Sequence, residues 1–176
     1  MDETPYQRLA RRLDELPNGF PPAPDGVELR MLAHLYTPAE AELAASLRLT
    51  LETSEEIARR LDCDPRETRS QLKSMARRGL INAGRTEGGL GYGLLPFVVG
   101  IYEMQVASLD AEMARLFEDY YHQAFGAVLA VQPAVHRVIP VGQSLQAGTE
   151  IQPYESAAEI VRSAQAWGVL DCICRK

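Results

Sequence analysis

Cysteine is scarce in this chain, with Cys63, Cys172 and Cys174 the only three thiols in 176 residues. Three unevenly placed cysteines cannot staple a small domain, and a pair separated by one residue bridges only with local strain, so a disulfide scaffold is excluded and a reducing compartment is expected. Long apolar runs are missing too. No stretch approaches the roughly 20 residues that a membrane-spanning helix needs, and the N-terminus, Met1-Asp2-Glu3-Thr4-Pro5, is acidic where an export signal would be basic and then apolar. The expected localisation is cytoplasmic, with no membrane partner. The three histidines, His34, His122 and His136, show no metal-ligand spacing. No Ser/His/Asp arrangement or phosphate-cradling loop stands out, and Gly88-Gly89-Leu90-Gly91 is better explained by a tight turn. Nothing in the sequence points to catalysis, and there is no internal repeat or low-complexity tract.

What is present is enough apolar material for a core, 46% of the residues, and a charge distribution more telling than its sum of −6. Residues 1–64 carry 7 Lys/Arg against 13 Asp/Glu, residues 65–85 carry 6 against 1, and residues 86–176 carry 5 against 10. One short basic segment sits in an otherwise acidic chain. Screening over about 8 Å at physiological salt lets such a patch meet an anionic partner despite remote negative charge.

Tyr6 to Leu16 reads as a helix with Leu9, Leu13 and Leu16 on one stripe, and the proline-rich stretch 17–26 ends it. Val27 to Tyr36 is also helical, with Leu29, Leu32, Ala33 and Tyr36 at helical spacing. Three helix starts then share one grammar: Thr37…Glu40, Thr53…Glu56 and Asp64…Glu67 each supply an N-cap oxygen and a glutamate three residues on. The last two frame a helix-turn-helix, Ser54 to Leu61 and Pro65 to Arg78, joined through Asp62-Cys63-Asp64 and closed by Gly79. Its inward residues are Ile57, Ala58 and Leu61 on the first helix and Leu72, Met75 and Ala76 on the second. Strands over 80–83 and 92–95 flank a glycine-rich turn, 84–91, and a hairpin following a helix-turn-helix is a wing.

The segment Glu56-Ile-Ala-Arg-Arg-Leu61…Thr68…Leu72…Met75-Ala-Arg-Arg-Gly-Leu-Ile81 resembles winged helix-turn-helix domains of bacterial regulators, over about residues 27–95. The resemblance implies a second helix that enters a DNA major groove. On that helix Arg66, Arg69, Lys73 and Arg77 recur at steps of three and four and share a face with Ser70, and Arg85 lies in the wing. These six residues are the candidate contacts with duplex DNA: cations for phosphates, Arg69 or Lys73 for a guanine edge. An ordinary solvated helix face fits the same pattern.

From Pro96, Val98, Tyr102, Val106, Leu109, Met113, Leu116, Phe117 and Tyr120 recur at helical steps, which predicts one long amphipathic helix to about residue 126. A core helix and a homodimerisation helix both fit it. Beyond Gly126 the pattern is mixed: strands are expected over 135–141 and 168–173, an extended segment over 149–153, and a helix over 154–166. The expected fold class is therefore α+β, with a helical arm and linker (1–26), a winged helix-turn-helix domain (27–95), a long helix (96–126) and a small mixed α/β subdomain (127–176).

That subdomain ends in Cys172-Ile173-Cys174-Arg175-Lys176. Thiolates two apart on an extended segment project to one side and can reach one metal centre, and the two cations favour their ionised form. A redox dithiol, a pair with no role and a site shared across a dimer fit as well. Together with Tyr92-Gly-Leu-Leu-Pro-Phe-Val-Val-Gly-Ile-Tyr-Glu103, Val138-Ile-Pro140 and Pro153-Tyr-Glu155, this ending resembles the N-terminal half of bacterial and archaeal ferredoxin-like iron-sulfur proteins. In that family a winged-helix region precedes a cysteine-rich region that binds 4Fe-4S clusters. The resemblance implies electron transfer or redox sensing with a redox partner protein, and Cys172 and Cys174 as the first ligands of a cluster site. A cubane cluster takes four thiolates, so these residues would hold half a site, and the chain reads as a fragment of a longer protein. The alternative is a DNA-binding regulator that responds to redox state or metal.

Overall fold

The computed structural model describes residues 3–130, 153–169, 171 and 173. Within them the fold is α+β, with eight α-helices and one small antiparallel sheet. The helices are α1 (Pro5–Asp14), α2 (Val27–Leu35), α3 (Pro38–Ala45), α4 (Ser54–Leu61), α5 (Pro65–Arg77), α6 (Ala111–Tyr120), α7 (Gly126–Leu129) and α8 (Tyr154–Ser163). The strands are β1 (Glu52–Thr53), β2 (Asn82–Thr86) and β3 (Gly89–Gly93), in the order β1-β3-β2.

Helix starts are set by side-chain caps. Thr37 with Glu40 and Thr53 with Glu56 form reciprocal capping boxes, each satisfying two backbone N–H groups that the helix leaves without partners. The third start is half a box. Asp64 accepts from the backbone N–H groups of Arg66 and Glu67 at 2.9 and 2.8 Å, while the Glu67 side chain instead accepts from Gln71 at 3.3 Å. A further complete box joins Thr4 and Gln7 at the head of α1. Its Thr-Pro-Tyr-Gln spelling is legible in the sequence. The α4–α5 turn passes through Asp62 at φ 53°, and α5 stops at Gly79 (φ 71°). There the Leu80 N–H reaches the Met75 carbonyl at 3.0 Å and the Gly79 N–H that of Ala76 at 3.1 Å, a Schellman closure that uses the left-handed freedom of glycine.

The core is continuous from the N-terminal segment onward. Leu9, Leu13, Leu16 and Phe20 of the stretch read as arm and linker are buried with Met31, Leu32, Leu47, Ile57, Leu72 and Met75. α1 packs on α3 and α2, and α4 on α5. Of the inward residues expected for the helix-turn-helix, Ile57, Ala58, Leu72 and Met75 are buried, Leu61 and Ala76 are partly buried, and Thr68 joins them at 4% exposure. On α2, Ala33 is exposed, and the buried stripe runs through Val27, Glu28, Met31 and Leu32.

Two expectations need correction. The eight-residue turn expected over 84–91 is a two-residue loop, Glu87-Gly88, because β2 and β3 run through the glycines, with Gly84 paired to Gly91 and Thr86 to Gly89. The glycines serve close approach of other groups: a Cβ on Gly91 would lie 2.5 Å from Thr86 Cγ2 and 3.1 Å from Leu51 Cβ, and one on Gly84 would lie 2.8 Å from Leu51 Cδ1. Leu51 lies over this face just before β1, which completes the sheet through Glu52 opposite Tyr92.

The single long helix over 96–126 is also not formed. After Pro96, Val98 and Val99 have extended backbone, a short 3-10 turn spans Glu103–Gln105, and α6 begins only after Asp110. Asp110 breaks the run because its carboxylate accepts from the Met113 N–H at 2.8 Å and so caps a new helix. The apolar recurrence is real, but it reports burial on several short elements. Phe97 meets Phe20 with centroids 4.7 Å apart, Tyr102 stacks on Phe117 at 3.8 Å, and Tyr120 meets Phe20 at 5.1 Å. α6 packs on α2, so Met113 and Tyr120 are spent within the chain, and the uninterrupted helix proposed for a homodimer is not there. The expected helix after 153 is present as α8. The strand expected over 135–141 lies outside the described residues, and none of the described residues of 168–173 is in a strand. No helix among the described residues is long and apolar enough to cross a membrane.

Candidate functional site

α5 carries two faces. Thr68, Leu72 and Met75 point into the core, while Arg66, Arg69, Ser70, Lys73 and Arg77, which recur among themselves at steps of three and four, lie on the opposite side and are all exposed. Arg85, on β2, is exposed as well. The structure thus brings the five predicted α5 residues onto one solvent-facing surface.

Most other cations of the fold are engaged. Arg8 pairs with Glu42, Arg11 with Glu3 at 3.0 Å, Arg12 with Glu15 at 2.8 Å and Arg30 with Asp25 at 3.0 Å. Arg60 grips Glu52 through two contacts of 3.0 and 2.7 Å. Arg78, next to Arg77 in sequence and also exposed, is engaged instead: it donates to both Glu40 oxygens, at 3.0 and 3.2 Å, and to the Leu35 carbonyl at 2.7 Å. Burial raises the Glu40 carboxyl, but hydrogen bonds from Thr37 and Arg78 outweigh it and hold the group below its usual range.

By contrast, Arg66, Lys73, Arg77 and Arg85 form no ion pair among the described residues. Arg69 has only Glu55, at 3.9 Å with both side chains mostly exposed, a contact worth little in water. Arg59, Arg115 and Arg162 are unpaired in the same sense but lie on other helices. Asp62, Asp64 and Glu67 are exposed around the first turn of α5, so its cationic character grows toward Lys73 and Arg77. A row of cations with so little counter-charge is what a polyanion neutralises with least competition.

The C-terminal end of α5 borders a cavity of about 640 Å³ that also touches His34, Tyr36, Met104 and Ser108. His34 Nε2 lies 3.2 Å from Asp110 Oδ2; the Met113 N–H, and then His34, hold the Asp110 carboxyl below its usual range. Ser108 completes no triad, since its hydroxyl donates to the Gln105 carbonyl and side-chain oxygen, each at 3.2 Å. Gln105, buried, in turn donates to the carbonyls of Arg78 and Ile101. The cluster binds the 103–110 segment to the end of α5.

Cys172 and Cys174 lie outside the described residues. Cys63 is exposed and its thiol lies 3.4 Å from the Leu61 carbonyl. Among the described residues no group of three or more His, Cys, Asp or Glu could hold a metal ion. As donors, two thiolates suit a 4Fe-4S cluster in kind but fall two short in number. Sequence reasoning missed Glu28, a carboxylate only 4% exposed; the signal was its place in the first turn of a helix behind a proline-rich stretch. Comparison with known proteins returns no matching family model, no matching curated protein and no matching solved structure.

Proposed function

We propose that this chain is the N-terminal, winged-helix-containing region of a ferredoxin-like iron-sulfur protein acting in electron transfer or redox sensing. Cys172 and Cys174 supply two of the thiolates of a 4Fe-4S cluster. The carrying observation is the Cys172-Ile-Cys174-Arg-Lys176 sequence, read with the motif between Tyr92 and Glu103. Support from the fold is indirect. Within that motif Leu94, Phe97 and Ile101 are buried and Tyr102 stacks on Phe117, so the likeness extends to residues that hold a core. The helix order α4-α5 followed by β2-β3, with β1 pairing on β3, suits a winged helix. Cys172 and Cys174 leave two of the four thiolates of such a cluster to be supplied by other residues, and the cluster when complete would supply one-electron chemistry. In the full-length gene product, purified and reconstituted without oxygen, Cys172→Ser and Cys174→Ser should each lower bound iron and acid-labile sulfide. Unchanged iron in both variants would remove these thiols from the site.

A second reading, duplex DNA binding through α5 and the β2-β3 wing, is favoured by one observation: a row of exposed cations in which, among the described residues, only Arg69 has a counter-charge, the exposed Glu55 at 3.9 Å. It predicts affinity that falls as salt rises, and about tenfold or greater weakening in the double variant Arg69→Ala/Lys73→Ala, since each lost cation also removes a released counterion. Absence of binding at low ionic strength would eliminate it.

A further inference from the structure

We propose that the cavity at the C-terminal end of α5, an open groove, is a binding site for a small organic acid: a monoanionic carboxylate with an apolar body. The groove has a volume of about 640 Å³, well inside the size range of ligand sites. One wall is the end of α2, a second is the run 77–80 that closes α5, and the third is the segment 104–108 together with Met113 of α6.

Electrostatics sets this groove apart. The chain carries a formal charge of −6, and three other grooves on the molecule are each lined by two or more carboxylates. Here Arg77, Arg78 and His34 are on the lining, with no carboxylate among its described residues. The counter-charges of two of them lie off the lining: Glu40 pairs with Arg78 at 3.0 Å, and Asp110 lies 3.2 Å from His34. Arg77 has no such partner among the described residues, so the groove is left with one uncompensated positive charge. One charge selects a monoanion. A phosphate monoester, at about two negative charges, would need a second free cation, whereas one guanidinium gives a carboxylate two parallel N–H donors.

The apolar body of the ligand has a wall ready for it. Leu80 and Met113 are buried, but Met104 is 58% exposed. Its backbone is nonetheless fixed. A Cβ on Gly79 would lie 2.5 Å from Met104 Cβ, and the buried Gln105 next to it donates to the carbonyls of Arg78 and Ile101 at 3.1 Å each. An exposed thioether on a fixed segment is a polarizable surface for an aromatic ring or an alkyl chain. Neither functional reading above uses this groove, and Arg77 alone is shared with the DNA-binding one.

Titration of the protein with 3-phenylpropionate, at constant ionic strength and neutral pH, should give saturable binding by calorimetry, with amide shifts centred on Gly79, Leu80 and Ser108. 3-Phenylpropan-1-ol, which keeps the body without the charge, and acetate, which keeps the charge without the body, should each bind about tenfold or more weakly. Arg77→Gln, at an exposed position, should weaken 3-phenylpropionate about tenfold, the effect of losing one charge-assisted pair. Ala107→Trp, at an exposed position of the lining, should block the groove and abolish binding with Arg77 intact, which keeps the test decisive should the Arg77 variant lose its fold by circular dichroism. Absence of binding at millimolar 3-phenylpropionate, equal binding of the alcohol or of acetate, full affinity in a folded Arg77→Gln or Ala107→Trp variant, or shifts centred elsewhere would overturn the assignment.

Discussion

Gly79 does two jobs at once. It takes the left-handed backbone that closes α5, and a Cβ on it would stand 2.5 Å from the Met104 Cβ. Gly26, at φ 69°, has only a Leu29 methyl 3.9 Å away. Gly79→Ala should therefore cost both the left-handed strain, about 1–2 kcal/mol, and an overpacking cost of about 1–3 kcal/mol, whereas Gly26→Ala should cost the strain alone. Urea unfolding of the two variants checks the difference, and equal losses would mean that the 103–108 segment gives way to the added methyl. Gly79 as a helix stop was legible in the sequence. Its contact with Met104 was not, because a residue 25 positions away and read as helical gives no hint that it folds back.

The elements divide in the same way. α4, α5 and their caps were legible because each is specified locally, by an N-cap oxygen, a 3.6-residue stripe and a terminal glycine. The segment 96–126 was misread because apolar residues at helical steps also arise when several short pieces bury alternate side chains in one core. Asp110 with Glu112 behind it was the available sign of a new start. Asp110→Ala removes the cap on Met113 and the contact with His34, so the Met113 amide should exchange faster with solvent while amides of α4 and α5 keep their protection. Uniform acceleration across the chain would mean instead that the start of α6 belongs to the global unfolding unit. At the other end of the scheme, Asp64→Ala should cost about 1 kcal/mol, since two N–H groups lose their acceptor. The measurement is again the urea midpoint.

Across the whole molecule, Glu40 and Arg78 tie α3 to the end of α5. Because hydrogen bonding holds the folded carboxyl below its unfolded value of about 4.3, its contribution to stability is present above that pH and is lost as pH falls through the folded value. The urea midpoint should fall between pH 6 and pH 3, and Glu40→Gln should flatten part of that dependence; an unchanged profile in the variant would show that other carboxylates carry it. At this scale the α+β class and the exposed basic face of α5 could be read from the sequence, since both rest on periodicity and charge. The packing of residues 9–20 into the common core could not, because proline-rich composition hides the burial of Phe20. The cluster assignment rests on Cys172 and Cys174, and its most direct test is Mössbauer spectroscopy of the full-length gene product enriched in iron-57 and reconstituted without oxygen. The account predicts the quadrupole doublet of a 4Fe-4S centre, diminished in Cys172→Ser; a protein without bound iron, or one whose iron is indifferent to that substitution, would contradict it.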